Sequence, residues 1–241
     1  FCINSMGKKG RREKFSPCSF ESEIYMEEYE TEPNAVPKND HQKDYNRVLY
    51  GMKPMVFAVG PAGTGKTMLA CYAAIQGLND DSYKKIILTR PAVSVEEDIG
   101  YLPGTLEEKM DPWTRPIMDI FAEFYDQSQI ASMIKDKIIE ICPLAYMRGR
   151  TFKNAFIIAD EMQNSTPNQM KMLLTRMGDN SKMVITGDLM QHDRKYNDNG
   201  LRDIYERIKD KSYKRIECVT FEHGDIERSQ IVKDILEIYG D

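Results

Sequence analysis

The chain has 241 residues, 33 Lys+Arg against 38 Asp+Glu, and 41% apolar residues, which against a typical domain of about 150 residues fits one buried-core domain with an appendage. A net charge of −5 excludes general electrostatic attraction to nucleic acid and leaves a local basic patch as the only route to it. Apolar runs such as Phe156–Ala159 fall far short of the ~20 residues a bilayer span needs, which excludes a membrane-spanning helix.

Residues 7–14 are strongly basic, residues 21–32 carry six glutamates, and Pro33 and Pro37 follow. Segregated charge without apolar periodicity predicts a disordered tail over residues 1–36, ahead of a folded domain over 37–241. The tail is either a solvated extension or a basic arm that touches RNA. Its start has no apolar core, so it does not read as a signal peptide. The domain begins with a short apolar run, Met55–Val59, a Gly-rich turn, and a small-residue helix from Lys66 to about Leu78. Ile86–Leu88 gives a second strand. Residues 116–135 read as two short helices, with Ile117, Ile120, Phe121 and Phe124 on one face of the first. Ile138–Ile141 and Phe156–Ala159 are further strands. Met170, Leu173, Leu174 and Met177 fall at i, i+3, i+4 and i+7, predicting a helix from Pro167 to Met177 capped by Thr166. Strand Met183–Thr186, a helix carrying Leu201, Ile204, Tyr205 and Ile208, strand Ile216–Phe221 and a helix from about Asp225 to Tyr239 complete the chain. Short apolar strands alternating with helices predict an α/β domain with a buried parallel sheet.

The five cysteines, at 2, 18, 71, 142 and 218, form no Cys-x-x-Cys pair, and His41, His192 and His223 lie far apart. Reduced thiols in a cytoplasmic protein fit this better than a disulfide frame or a zinc site.

Gly60-Pro61-Ala62-Gly63-Thr64-Gly65-Lys66-Thr67 satisfies G-x-x-x-x-G-K-[ST] between a strand and a helix. A chance match in a chain this long is on the order of one in a hundred. Glycines let successive N–H groups turn inward to hold an anion, and the helix N-terminus adds its dipole. Lys66 supplies a cation for the β- and γ-phosphates and Thr67 a hydroxyl for Mg²⁺. The run Ala155–Ala159 ends in Asp160 and Glu161. Asp160 at the sheet edge can hold Mg²⁺ through water, and Glu161 can polarise water for attack on the γ-phosphate. Two adjacent acids favour hydrolysis over nucleotide binding alone. A third strand ends in Gly187-Asp188-Leu189-Met190-Gln191. In a parallel sheet it delivers Gln191 to the same edge, where an amide can report the γ-phosphate, although a plain turn explains Gly187-Asp188 equally well.

Gly60–Thr67, Asp160-Glu161-Met162-Gln163 and Gly187-Asp188-x-x-Gln191 resemble the first three ATPase motifs of superfamily-one helicases. Further runs bring the chain closer to the PhoH family: Thr89-Arg90-Pro91-Ala92, Tyr101-Leu102-Pro103-Gly104, Pro143 to Thr151, and Lys171-Met172-Leu173-Leu174-Thr175-Arg176. The resemblance runs from Pro37 to Tyr239. It implies a single RecA-like P-loop NTPase domain with a parallel sheet flanked by helices, Mg-ATP as ligand, and a part in RNA metabolism. Lys66, Thr67, Asp160, Glu161 and Gln191 carry over in the roles given above. Pro37-Lys38-Asn39-Asp40-His41-Gln42 looks like the glutamine element of such helicases, so Gln42 either reads the adenine edge or is a polar residue at a helix start. Phe221 to Ser229 resembles the element that brings an arginine to the γ-phosphate, which nominates Arg228.

A superfamily-one helicase has two RecA-like domains, and this length holds one. Arg148, Arg150 and Arg176 are therefore candidate arginines supplied in trans, and the expected assembly is a homo-oligomer, a hexameric ring with ATP sites between subunits. Single-stranded RNA is the expected polymer. Arg90, Lys109, Trp113 and Arg115 follow the second strand; Trp113, in a turn-like Asp111–Pro116 setting, either stacks on a base or packs a helix start. Arg148-Gly149-Arg150 contacts backbone phosphates or supplies the trans arginines. The sequence thus reads as a Mg-dependent ATPase coupled to RNA handling. The alternatives are a slow nucleotide-switched regulatory or assembly module and a small-molecule kinase. Glu161 and Gln191 suit water as the nucleophile and count against the kinase.

Overall fold

Short runs of apolar residues, buried on both faces in the four central strands and partly covered in the two edge strands, build one parallel sheet. The structure is a computed structural model that describes residues 36–91, 106–190 and 199–228, with residues 231, 232, 235 and 238 beyond them. All of these fall within one unit, Thr31–Asp241. Helix α1 (Asp40–Leu49) leads into β1 (Met55–Val59), α2 (Lys66–Asn79) and β2 (Lys85–Thr89). Then come α3 (Leu106–Phe121), α4 (Gln127–Lys135), β3 (Ile139–Ile141) and β4 (Ala155–Ala159). Helix α5 (Pro167–Leu174), β5 (Lys182–Gly187), α6 (Gly200–Ile208) and β6 (Ile216–Thr220) follow.

The six strands lie in the order β3-β2-β4-β5-β1-β6, and every pairing is parallel. All C-terminal ends therefore share one rim, and β5 sits between β1 and β4. Strand residues alternate between two cores. Val56, Ala58, Phe156 and Ile158 join Leu69, Ala70, Ala74 and Phe121 on the face covered by α1 to α4. Phe57, Val59, Ile157 and Ala159 join Met147, Phe152, Met170, Leu173 and Leu201 on the other. Apolar cover on both faces is what a parallel sheet needs, and it explains the long apolar runs of the central strands β1, β2, β4 and β5.

Three boundaries differ from the sequence reading. Helix α3 starts at Leu106, not near 116, so Asp111–Pro116 is helical and not a turn. An interior proline costs about 3 kcal/mol. Burial of Ile117 and Phe121, helped by Met118 and Ile120, offsets costs of that size. Helix α5 stops at Leu174, and Met177 instead bridges Phe152. The Thr175 hydroxyl donates to the carbonyls of Lys171 and Met172, which closes the last turn early. At the other end the Thr166–Gln169 capping box and Pro167 start α5 as the sequence indicates. The closing helix does not begin at Asp225, which lies in a 3-10 turn, His223–Asp225. The next amide, Ile226 N–H, donates to His223, and Glu227 N–H donates to Gly63, so the chain cannot turn helical before Arg228. Residues 231, 232, 235 and 238 are helical, and the rest of that helix lies outside the described residues. So do residues 1–35 of the tail and the Tyr101–Gly104 run.

Lys182, at the start of β5, ties the sheet to α1. Its buried ammonium donates to the carbonyls of Val48 (3.1 Å), Leu49 and Gly51 (2.8 Å) at and just past the helix C-terminus, where Val48 O also accepts from Gly51 N–H. Lys182→Met is expected to cost about 2–4 kcal/mol in chemical denaturation, because those carbonyls lose their partner in a buried setting. Burial also pushes Lys182 down from 10.5 to about 8. Between those values the unfolded chain binds more protons than the folded one, so wild type gains on the variant as pH rises. A gap that closes over that range would contradict the assignment.

Candidate functional site

Strand β1 delivers the chain to the rim at Gly60, whose φ of +148° and close neighbours leave no room for a side chain: a Cβ there would lie 2.5 Å from the Phe221 carbonyl oxygen. Gly60 N–H donates to Gly187 O at 3.1 Å, locking the loop to β5. Gly63 (φ +80°) and Gly65 (φ +81°) take left-handed turns that bring the chain round to the start of α2. Lys66 is nearly buried, and its ammonium donates to Gly60 O (2.8 Å), Pro61 O (2.6 Å) and Thr64 Oγ1 (3.2 Å). Burial lowers the Lys66 pKa, and the carboxylates of Asp188, Glu161 and Asp160 act against that shift.

Asp160, at the end of β4, is the hub of the rim. Its Oδ1 accepts from the Thr67 hydroxyl at 2.7 Å and the Thr186 hydroxyl at 2.6 Å, while its N–H donates to Thr89 O at 2.9 Å. Thr67 of α2 and Thr186 of β5 thus meet on the Asp160 carboxylate, while its backbone N–H ties it to β2. Glu161 takes a left-handed conformation (φ 53°), and its Oε2 accepts from Gln163 Nε2 at 2.5 Å. Its Oε1 lies 3.6 Å from the Arg90 guanidinium. The other end of the Gln163 amide accepts from Asp188 N–H at 3.2 Å, so Gln163 bridges the ends of β4 and β5. Beside these groups lies a cavity of 410 Å³ lined by Gly63, Gly65, Lys66, Thr67, Arg90, Asp160, Glu161 and Asp188, with Ile117 and Ile120 of α3 as an apolar wall. Its size falls in the range of small-ligand sites.

The donors offered to a cation are oxygens: the Thr67 hydroxyl and the carboxylates of Asp160 and Asp188. That set suits Mg²⁺, which keeps water and phosphate ligands. Among the described residues no cluster of three His, Cys, Asp or Glu side chains forms a cage for a metal, and Cys71, Cys142 and Cys218 are free thiols.

Two segments brace the loop from outside. Gln42, on α1, is 2% exposed; its Nε2 donates to Thr64 O (3.1 Å) and its Oε1 accepts from Lys38 N–H (2.8 Å). Both ends of this amide hold backbone, which puts Gln42 beneath the cradle. Tyr45 OH adds a bond to Lys66 O at 3.3 Å. On the other side Phe221 N–H donates to Val59 O and Glu227 N–H to Gly63 O. The Arg228 side chain then crosses the loop, its Nε 2.9 Å from where a Cβ on Gly63 would stand. His41 Nδ1 lies 2.7 Å from Asp225 Oδ2, linking the two braces.

The remaining candidates scatter. Arg150 makes a two-pronged ion pair with Glu140 (NH2 to Oε2 3.0 Å) and lies over the Phe152 ring. Arg176 donates to Met172 O, Arg150 O and Thr175 Oγ1. Both are spent within the chain, whereas Arg148 is exposed. Gln191 and the side chains of Lys109 and Trp113 lie outside the described residues. The sequence reading had Asp188 and Gln163 as motif positions without a role, and it missed the part of Thr186 and the pairing of Arg90 with Glu161. Asp188 had the further signal of an acid directly after a buried strand.

A model of the PhoH-like protein family matches residues 34–240. A PhoH-like protein of Synechocystis sp. is 43% identical over 206 residues, covering 84% of this chain and 61% of its own. One of Bacillus subtilis is 43% identical over 239 residues, covering 97% and 72%, and Protein PhoH of Escherichia coli is 38% identical over 205, covering 84% and 57%. The chain thus spans about three-fifths of the Synechocystis and E. coli relatives. Among solved structures, a Sulfolobus solfataricus SWI2/SNF2 ATPase core in complex with dsDNA aligns over 77% of this chain and 45% of its own. At 14% identity and a TM-score of 0.41 it adds nothing to what the strand order gives. Among the described residues no helix is long and apolar enough to cross a membrane. With its P-loop on a parallel sheet and a family match over nearly the whole domain, this chain belongs to the PhoH-like protein family.

Proposed function

We propose that the protein is a Mg-dependent ATPase of the cytoplasm, oligomeric and coupled to RNA handling. The reading rests on one observation: Asp160 Oδ1 accepts from both the Thr67 and Thr186 hydroxyls at the mouth of the Gly60–Thr67 loop. A strand-end carboxylate fixed against the hydroxyl after the P-loop lysine is what a nucleotide-bound Mg²⁺ requires. Bound Mg²⁺ would draw charge from the β- and γ-phosphate oxygens. Backbone N–H groups of the loop hold the phosphates, and Lys66 reaches them by exchanging one of its loop bonds for a phosphate oxygen. Glu161, facing the same cavity, takes a proton from the attacking water. Gln191 completes the contact to the terminal phosphate.

An arginine at the γ-phosphate is worth ~10³–10⁵ in rate. Arg228 already lies over the loop and serves in cis. Of the three arginines weighed for supply from a neighbouring subunit, Arg150 and Arg176 are engaged within the chain and Arg148 is exposed. Isothermal calorimetry with Mg-ATP tests the reading, followed by phosphate release with and without single-stranded RNA. Saturable binding and RNA-stimulated turnover are expected; folded protein that gives no heat with Mg-ATP overturns it.

One observation favours the slow-switch alternative. The Glu161 carboxylate is already held by Gln163 and faced by Arg90, so it must be freed before it can act as a base. Low turnover indifferent to RNA would select that reading.

A further inference from the structure

We propose that the turn after β3 is a docking knuckle for single-stranded nucleic acid, in which Tyr146 stacks on a base and Arg148 meets a phosphate. This rests on reading the protein as an ATPase coupled to such a polymer, and it names the surface that does the coupling.

The segment from Cys142 to Asn154 contains Arg148, Arg150 and Lys153 and no acid; Arg150 pairs with Glu140 and Lys153 faces Asp179 at 3.6 Å, so Arg148 carries the charge this segment presents outward. The turn Leu144–Met147 is pinned on its inner side: Leu144 and Met147 are 2% and 0% exposed, and Tyr146 N–H donates to Pro143 O at 2.9 Å. Arg150 clamps its far end through Glu140, and Arg176 NH1 donates to Arg150 O at 3.2 Å. What remains outside is Tyr146, 62% exposed, and Arg148, followed by Gly149 with φ +80° and open space around it. An aromatic ring on a rigid base loses little freedom when a nucleobase covers it. A basic side chain two residues along suits the phosphate of the same strand. An arginine acting on a neighbour's nucleotide needs no exposed ring beside it, which favours the polymer.

The knuckle stands on the same rim as the cavity. Cys142 N–H continues the ladder by donating to Leu88 O at 2.9 Å, and β2 then carries Arg90 to Glu161. In the strand order β3 is four places from β1, or about 19 Å at ~4.8 Å per strand. A polymer on the knuckle therefore sits one strand from the residue that pairs with Glu161.

The test is fluorescence anisotropy of labelled oligouridylate and oligothymidylate over a salt series, with calorimetry of Mg-ATP on the same preparations. Tyr146→Ala should weaken oligomer binding about tenfold and Tyr146→Phe should restore it. Arg148→Ala should flatten the plot of log affinity against log salt by about 0.7, the share of one phosphate on a single strand. Mg-ATP affinity should not change in Tyr146→Ala, and the ratio between the two oligomers tells RNA from DNA. Wild-type oligomer binding by Tyr146→Ala overturns the proposal. So does an Arg148→Ala variant that keeps its salt slope but loses polymer-free ATP turnover, since that arginine would then serve a neighbour. Protein that binds Mg-ATP but neither oligomer overturns the knuckle and leaves the nucleotide reading standing. Oligomer binding that responds as stated without any Mg-ATP binding does the reverse.

Discussion

Lys66→Ala should weaken Mg-ATP binding by roughly 10- to 100-fold, the worth of one or two charged hydrogen bonds to phosphate. The variant also strips three bonds from inside the loop, to Gly60 O, Pro61 O and Thr64 Oγ1, so a deformed cradle would weaken binding too. AMP separates the two causes. It lacks the β- and γ-phosphates, so loss of the ammonium leaves its affinity nearly unchanged, whereas a collapsed loop lowers it as much as that of ATP. Calorimetry with both ligands decides. An equal fall for ATP and AMP would move Lys66 from phosphate ligand to structural brace. The loop is well protected against collapse, because Gln42 and Tyr45 hold it from α1 and Glu227 from the opposite side.

That contrast between local and assembled structure explains what could be read in the sequence. The P-loop, its strand and its helix occupy one continuous stretch whose glycines are demanded by the backbone, so Gly60–Thr67 was legible without tertiary information. Asp160 and Glu161 were legible because an apolar strand ending in acids is also local. Thr186 was not: only the sheet order puts β5 between β1 and β4 and brings its hydroxyl to Asp160. Gln163 and Arg90 act on Glu161 through geometry that no spacing encodes. Gln42 stood out, yet its place under Thr64 follows from how α1 packs on the loop. The trans-arginine candidates illustrate the same point. Arg148, Arg150 and Arg176 are alike in sequence, and only Glu140, Phe152 and the end of α5 distinguish the two that are engaged from the one that is exposed. Helix α3 was misjudged at its start because two prolines outvote a weak local pattern until the core that Ile117 and Phe121 enter is known.

Glu161→Gln should leave Mg-ATP affinity within a few-fold of wild type and lower phosphate release by ~10²–10⁴, the usual worth of a general base. The substitution is nearly isosteric. The new amide oxygen can still accept from Gln163 Nε2, so the left-handed turn at residue 161 keeps its support. What disappears is the negative charge facing Arg90 and the capacity to take a proton. Gln163 makes the measurement more discriminating. Its amide joins Glu161 to Asp188 N–H, so Gln163→Ala should free the carboxylate and unpin the end of β5 without removing the base. If Glu161 is the base and Gln163 restrains it, Gln163→Ala raises or preserves basal turnover while Glu161→Gln abolishes it. If both variants hydrolyse ATP at the wild-type rate, the base lies elsewhere in the cavity. Asp188, whose Oδ1 accepts from Met190 N–H and which lines the same cavity, is the next carboxylate to replace.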